Sequence, residues 1–76
     1  MREKFRKQLL TRYKRDFREG VLTLDQARQL LDELGKSLEK AKRTNRRVSI
    51  KDQEGTWSEA EIEDQLWALR QALDEA

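Results

Sequence analysis

Four carboxylates fall within the six residues 59–64: Glu59, Glu61, Glu63 and Asp64. Clustered carboxylates can hold Mg²⁺ or divide acid and base work between them. The same positions fall in the first turns of a predicted helix, where acids complement the positive end of the macrodipole. The rest of the sequence favours that second role. The chain has no His and no Cys, so the common general bases, nucleophiles and soft zinc ligands are missing. Its three glycines are isolated, which leaves no Gly-rich phosphate loop. The expectation is a protein that is not an enzyme, with no catalytic residue, no cofactor and no metal ligand.

The other residues that could do chemistry are basic. Lys4, Lys7, Lys14, Arg15 and Arg18 recur on one side of the N-terminal segment. Arg43, Arg46 and Arg47 belong to a run, residues 40–47, with five positive charges and no negative one. Such residues neutralise phosphates, with an affinity that falls as salt rises, or meet an acidic protein surface. No helix-turn-helix, zinc-finger or RNA-recognition signature accompanies them. A solvated face, partly compensated by the acidic C-terminal segment, is the competing reading.

Trp67 is the remaining candidate. At 100° per residue it lies about 140° around the helix from Ile62, among Glu63, Asp64, Gln71 and Asp74. Trp is enriched at interface hot spots, where it fills a partner's pocket. The alternative is a ring covered within the fold, or stacked under a Lys or Arg.

Charge is divided along the chain. Residues 1–47 carry 15 Lys and Arg against 7 Asp and Glu, whereas residues 48–76 carry 2 against 8. The formal net charge of +2 hides that asymmetry, which speaks more to partners than to fold. At 76 residues the chain makes a single domain, 1–76. A domain of this size buries only roughly 60–65% of its unfolded surface. Disulfides cannot reinforce it, so helix packing or a homodimer must. The lack of Cys fits a reducing cytoplasm. No apolar run approaches the ~18–20 residues of a membrane span, and Met1–Arg6 has no apolar stretch of the kind secretory signals carry. A charged fraction of 42% raises disorder as an alternative, against which the apolar periodicity argues.

Three helices must position these residues. Met1, Phe5, Leu9, Leu10, Tyr13 and Phe17 form one apolar side of a helix over about Arg2–Arg18, with the basic residues opposite. Gly20 supplies the left-handed stop. Thr23 and Gln26 make a capping box for a second helix, whose stripe runs Leu24, Ala27, Leu30, Leu31, Leu34, Leu38 and Ala41. That stripe persists past Gly35, so the helix is predicted to continue to about Arg43. Val48, Ser49 and Ile50 then alternate like a strand, Asp52–Gly55 reads as a turn and Thr56–Trp57 as the return, giving at most a small hairpin. Ser58 with Glu61 is a second capping box, and Trp57 with Ile62 a hydrophobic staple. Ile62, Leu66, Leu69 and Leu73 make a narrow stripe on the third helix. The predicted fold is mainly α: a helical hairpin plus a C-terminal helix, with a short β-hairpin before the third helix.

Residues 17–34, FREGVLTLDQARQLLDEL, resemble the short bihelical SHOCT-like modules, which carry an EG-x-[IL]-T/S-x-E-[AE]-x-x-LL pattern. The resemblance spans 18 of the 76 residues. It implies a helix, a turn and a capped helix, in modules linked to oligomerisation or tethering, and it transfers no functional residue.

Two functions stand out: a small regulator, adaptor or inhibitor that binds a protein partner stoichiometrically through Lys4, Lys7, Lys14, Arg15, Arg18, Arg43, Arg46, Arg47 and Trp67, or a regulator that binds DNA or RNA through the basic helix and the basic loop. An accessory subunit that folds only in its complex is a third.

Overall fold

A computed structural model describes residues 2–75 of the protein and contains three helices: α1 (Arg2–Arg18), α2 (Leu24–Thr44) and α3 (Glu59–Glu75). Each boundary has a chemical cause. Gly20, with φ of 76°, closes α1. Gly20 N–H donates to the Phe17 carbonyl and Val21 N–H to the Asp16 carbonyl, the paired bonds of a Schellman ending. Thr23 Oγ1 accepts from Gln26 N–H, and Gln26 Oε1 accepts from Thr23 N–H, so the predicted box opens α2. The helix runs through Gly35 and ends at Asn45, which is left-handed with φ of 54° and donates its N–H to the Ala41 carbonyl. Asn tolerates that conformation better than most residues.

At α3 the Ser58 hydroxyl accepts from Glu61 N–H at 3.2 Å, and Glu61 Oε1 accepts from Ser58 N–H at 2.8 Å. Trp57, just before the cap, packs on the buried cluster that contains Ile62. The Ser58 N–H, first, holds the Glu61 carboxyl below its ordinary value of 4.5; burial opposes it, and the Ser58 hydroxyl and Arg47 add to the lowering. A folded-state value below the unfolded one means that the unfolded chain binds more protons in acid. This contribution is therefore present above about pH 4.5 and is lost as pH falls through the lower folded value. Ser58→Ala is expected to cost about 0.5–2 kcal/mol through the lost cap. Glu61→Gln should flatten the acid side of the stability profile. Urea midpoints taken near neutrality and in acid check both.

The arrangement of the helices differs from the predicted helical hairpin. α3 packs against α1 and also against α2, while α1 and α2 do not pack along one another. Arg6 reaches Asp64 and, eight residues on, Lys14 reaches Glu75, so α1 and α3 run in parallel. The principal extents are 36 × 28 × 21 Å. α3, which contacts both of the other helices, is the central one.

The central position explains why the narrow stripe expected on α3 is exceeded. Ile62, Asp64, Gln65, Leu66, Ala68, Leu69 and Ala72 are all buried, an arc of about 200° of the helix. The flanking helices each bury one side. On α1, Tyr13 is buried and Phe5, Leu9, Leu10 and Phe17 are half-buried; Met1 lies outside the described residues. On α2, Ala27, Leu34 and Ala41 are buried, but Leu24, in its first turn, is 53% exposed.

The β-hairpin does not form. Val48 and Trp57 make one isolated antiparallel bridge, exchanging hydrogen bonds of 2.9 and 2.8 Å, and no strand forms among the described residues. Val48 and Ile50 are both buried, so the alternation is spent on the core. Beyond Ile50 the chain turns at once: Gln53 N–H donates to the Ile50 carbonyl, and Asp52 and Gly55 take positive φ. The turn thus spans residues 50–53 rather than Asp52–Gly55, and no second cross-strand pair can follow.

Candidate functional surface

The five basic residues predicted on α1 are all exposed. Lys4, Lys7, Lys14, Arg15 and Arg18 fall within an arc of about 100° and span about 21 Å at 1.5 Å per residue. They share this arc because the apolar residues of α1 claim the opposite side, which faces α3. Lys14 Nζ reaches Glu75 at 2.7 Å, and Lys7 lies 3.9 Å from Glu3. Lys4, Arg15 and Arg18 make no ion pair among the described residues. A shallow depression of about 360 Å³ opens between Lys4, Lys7, Arg12 and Arg15.

Trp67 is half-buried and packs on the core cluster. The Arg6 guanidinium carbon sits 5.4 Å from its ring centroid, within cation–π range. The same guanidinium, through Nε, donates to Asp64 Oδ1 at 2.6 Å. Asp64 is only 3% exposed at its side chain. This corrects the reading of the acid cluster as a solvated face. Asp64 points inward, Glu61 is tied to Arg47, and Glu63 is half-buried with an interaction of its own. Glu59 stays exposed.

Trp67 borders two depressions. One, about 570 Å³, is lined by Glu3, Arg6, Lys7 and Trp67; the other, about 510 Å³, includes Leu38, Trp67 and Arg70. Lys7 lines both the first of these and the basic depression of α1. The indole edge and the basic stripe are therefore parts of one continuous surface. Because the ring is only half-buried, Trp67→Ala is expected to lower stability by about 2–3 kcal/mol, below the ~3–5 of a fully buried aromatic. Thermal or urea unfolding measures it.

The second basic cluster is set apart. Arg43, Arg46 and Arg47 are exposed, but they lie at the C-terminal end of α2, on the other flank of α3. Arg47 is committed within the fold: its guanidinium donates to the Thr56 carbonyl at 2.7 Å and to Thr56 Oγ1, and pairs with Glu61 at 3.0 Å. Arg43 lines a depression on the outer side of α2 with Leu31, Gly35 and Glu39. The nine predicted contact residues thus occupy two places, with Lys7 linking α1 to Trp67 and the α2 arginines separate.

The alternative of a Lys or Arg stacked on Trp67 holds, with Arg6 as the cation; sequence reasoning missed which residue it is and its pairing with Asp64. Arg6 lies on the apolar side of α1, and an Arg among Phe5, Leu9, Leu10 and Tyr13 was the available signal. Among the described residues, no group of three or more acids is placed to hold a metal ion. No helix is long and apolar enough to cross a membrane. No protein-family model, no curated protein and no solved structure matches this chain.

Proposed function

We propose that the protein is a small non-enzymatic binding module, an adaptor or inhibitor that acts by stoichiometric binding to an acidic surface of a protein partner. The observation that supports this reading is the continuity of the α1 stripe with the Trp67 edge through Lys7. A charged border speeds encounter, and an aromatic anchor beside it slows release. Lys4, Lys7, Lys14, Arg15 and Arg18 supply the first element and Trp67 the second. Arg43, in the last turn of α2, and Arg46, just beyond it, add a second basic contact, and Arg47 holds the loop that leads into α3.

One observation favours a nucleic-acid reading as the alternative. An acidic helix repels phosphate unless it faces away, and α3 lies behind α1, with Asp64 and Glu75 neutralised by Arg6 and Lys14. The outer face of α1 is then free to neutralise phosphates.

Affinity capture from the native host, with and without nuclease, separates the two. A protein retained near one-to-one after nuclease treatment, and still held at moderate salt, supports the adaptor reading. Loss of all bound material on nuclease treatment, with affinity falling steeply with salt, supports the alternative. For a protein partner, Trp67→Ala should weaken binding by at least ~2 kcal/mol.

A further inference from the structure

The α1–α2 elbow carries a different surface. The chain crosses it in residues 19–23, and α1 and α2 splay apart there around a groove of about 740 Å³. That volume lies within the roughly 300–1,000 Å³ range of ligand sites. The floor is apolar, with Tyr13 buried and Leu22 and Leu30 half-buried. The rim is acidic. Asp16 from α1, Asp32 and Glu33 from α2, and Asp52 from the 51–53 turn converge on it, against Arg12 and Lys51. Asp32 pairs with Lys36 at 3.1 Å; Asp16, Glu33 and Asp52 have no ion pair among the described residues.

The elbow also holds the two exposed large apolar side chains of the described residues, Val21 at 65% and Leu24 at 53%. The exposure of Val21 has a local cause. In a Schellman ending the residue after the left-handed one usually packs on an apolar residue of the last turn. Here those positions are Asp16 and Arg15, so Val21 has nothing apolar to cover. It lines the groove instead.

We propose that this groove binds a short amphipathic segment of a partner protein that presents Lys or Arg beside apolar side chains. The apolar side chains seat on Tyr13, Leu22 and Leu30 and meet Val21. The cations meet Asp16, Glu33 and Asp52, which supply the charge complementarity. This groove adjoins the basic depression of α1 at Arg12, which lines both, and is opposite to it in sign.

The full chain, labelled with ¹⁵N, is titrated with a synthetic peptide of about a dozen residues that places Leu along one helical face and Lys along the other. The expected result is saturable amide shifts centred on Tyr13, Val21, Leu22, Leu30 and Gln53. Binding should weaken at least tenfold in D16N/E33Q and in V21S, both of which change exposed or half-exposed side chains and should retain the free spectrum's dispersion. A counterpart peptide with every Lys replaced by Glu should leave the elbow amides unshifted. The proposal is overturned by shifts centred on Trp67, by no saturable binding, or by variants that bind as tightly as wild type. Concentration-dependent shifts at the elbow without peptide would also overturn it, since the groove would then be a contact between two copies of the chain.

Discussion

Leu69→Ala is expected to remove most of the protein's folding stability. Leu69 is fully buried in α3, the helix that contacts both of the others. Truncating such a leucine removes its transfer free energy and leaves a cavity, together about 3–5 kcal/mol. Globular domains hold only about 5–15 kcal/mol in all, and a chain this short sits low in that range. Far-UV circular dichroism of the purified variant through a urea series measures the loss. Ile62→Val, at another fully buried α3 position, should cost only about 0.5–1.5 kcal/mol. A loss under ~1.5 kcal/mol for Leu69→Ala would show that α3 is peripheral, as a third helix laid over a two-helix hairpin would be.

Arg6→Ala should have the next largest effect, about 3 kcal/mol. Two interactions go at once, the charge-assisted bond to buried Asp64 and the stacking on Trp67. Removing one partner of a buried ion pair costs roughly 3–5 kcal/mol, because the other charge is left without compensation. Arg6 is 32% exposed and Asp64 has a further interaction, which places the effect at the low end. Replacing both partners with apolar residues removes the stranded charge. R6M/D64L should therefore be much closer to wild type than R6A, and a double-mutant cycle isolates the coupling. Equal losses in R6A and R6M/D64L would show that packing, not charge, dominates at this site.

The local structure was legible because it is written in short-range chemistry. The cap pairs Thr23–Gln26 and Ser58–Glu61 and the left-handed Gly20 involve residues no more than four apart, and each forms as its spacing requires. What the sequence left open was which helices would meet. A four-residue connection between two amphipathic helices suits a hairpin, but it does not oblige the helices to pack. Here α3 takes the place between them, because its small residues Ala68 and Ala72 accompany Ile62, Leu66 and Leu69 around a helix that can be buried on several sides. The strand-like alternation of Val48 and Ile50 misled for a similar reason. Alternation reports burial on one side, and a loop pressed into a core meets that demand without a second strand.

The charge split was legible as composition and misjudged in use. It was read mainly as a matter of partners, with compensation by the acidic C-terminal segment as the competing reading, and Arg6–Asp64, Lys14–Glu75 and Arg47–Glu61 show it registering acidic α3 against basic α1 and the basic end of α2. Asp64 looked solvated because its neighbours in sequence are acidic. Its burial depends on Arg6, 58 residues away, which no local pattern reveals. The basic stripe of α1 was legible throughout, because helical periodicity alone fixes it opposite the apolar side.

The central functional claim is that this stripe is a contact surface. The most direct test compares wild type with K4E/R15E/R18E in capture from the native host at low salt. None of the three residues makes an ion pair among the described residues, so circular dichroism and the melting midpoint should stay close to wild type. The account predicts that the charge-reversed chain retains its fold and loses the captured partner, with association slowed. Capture of the same partner by both chains, with the same dependence on salt, would contradict it and leave the α1 stripe as solvated surface.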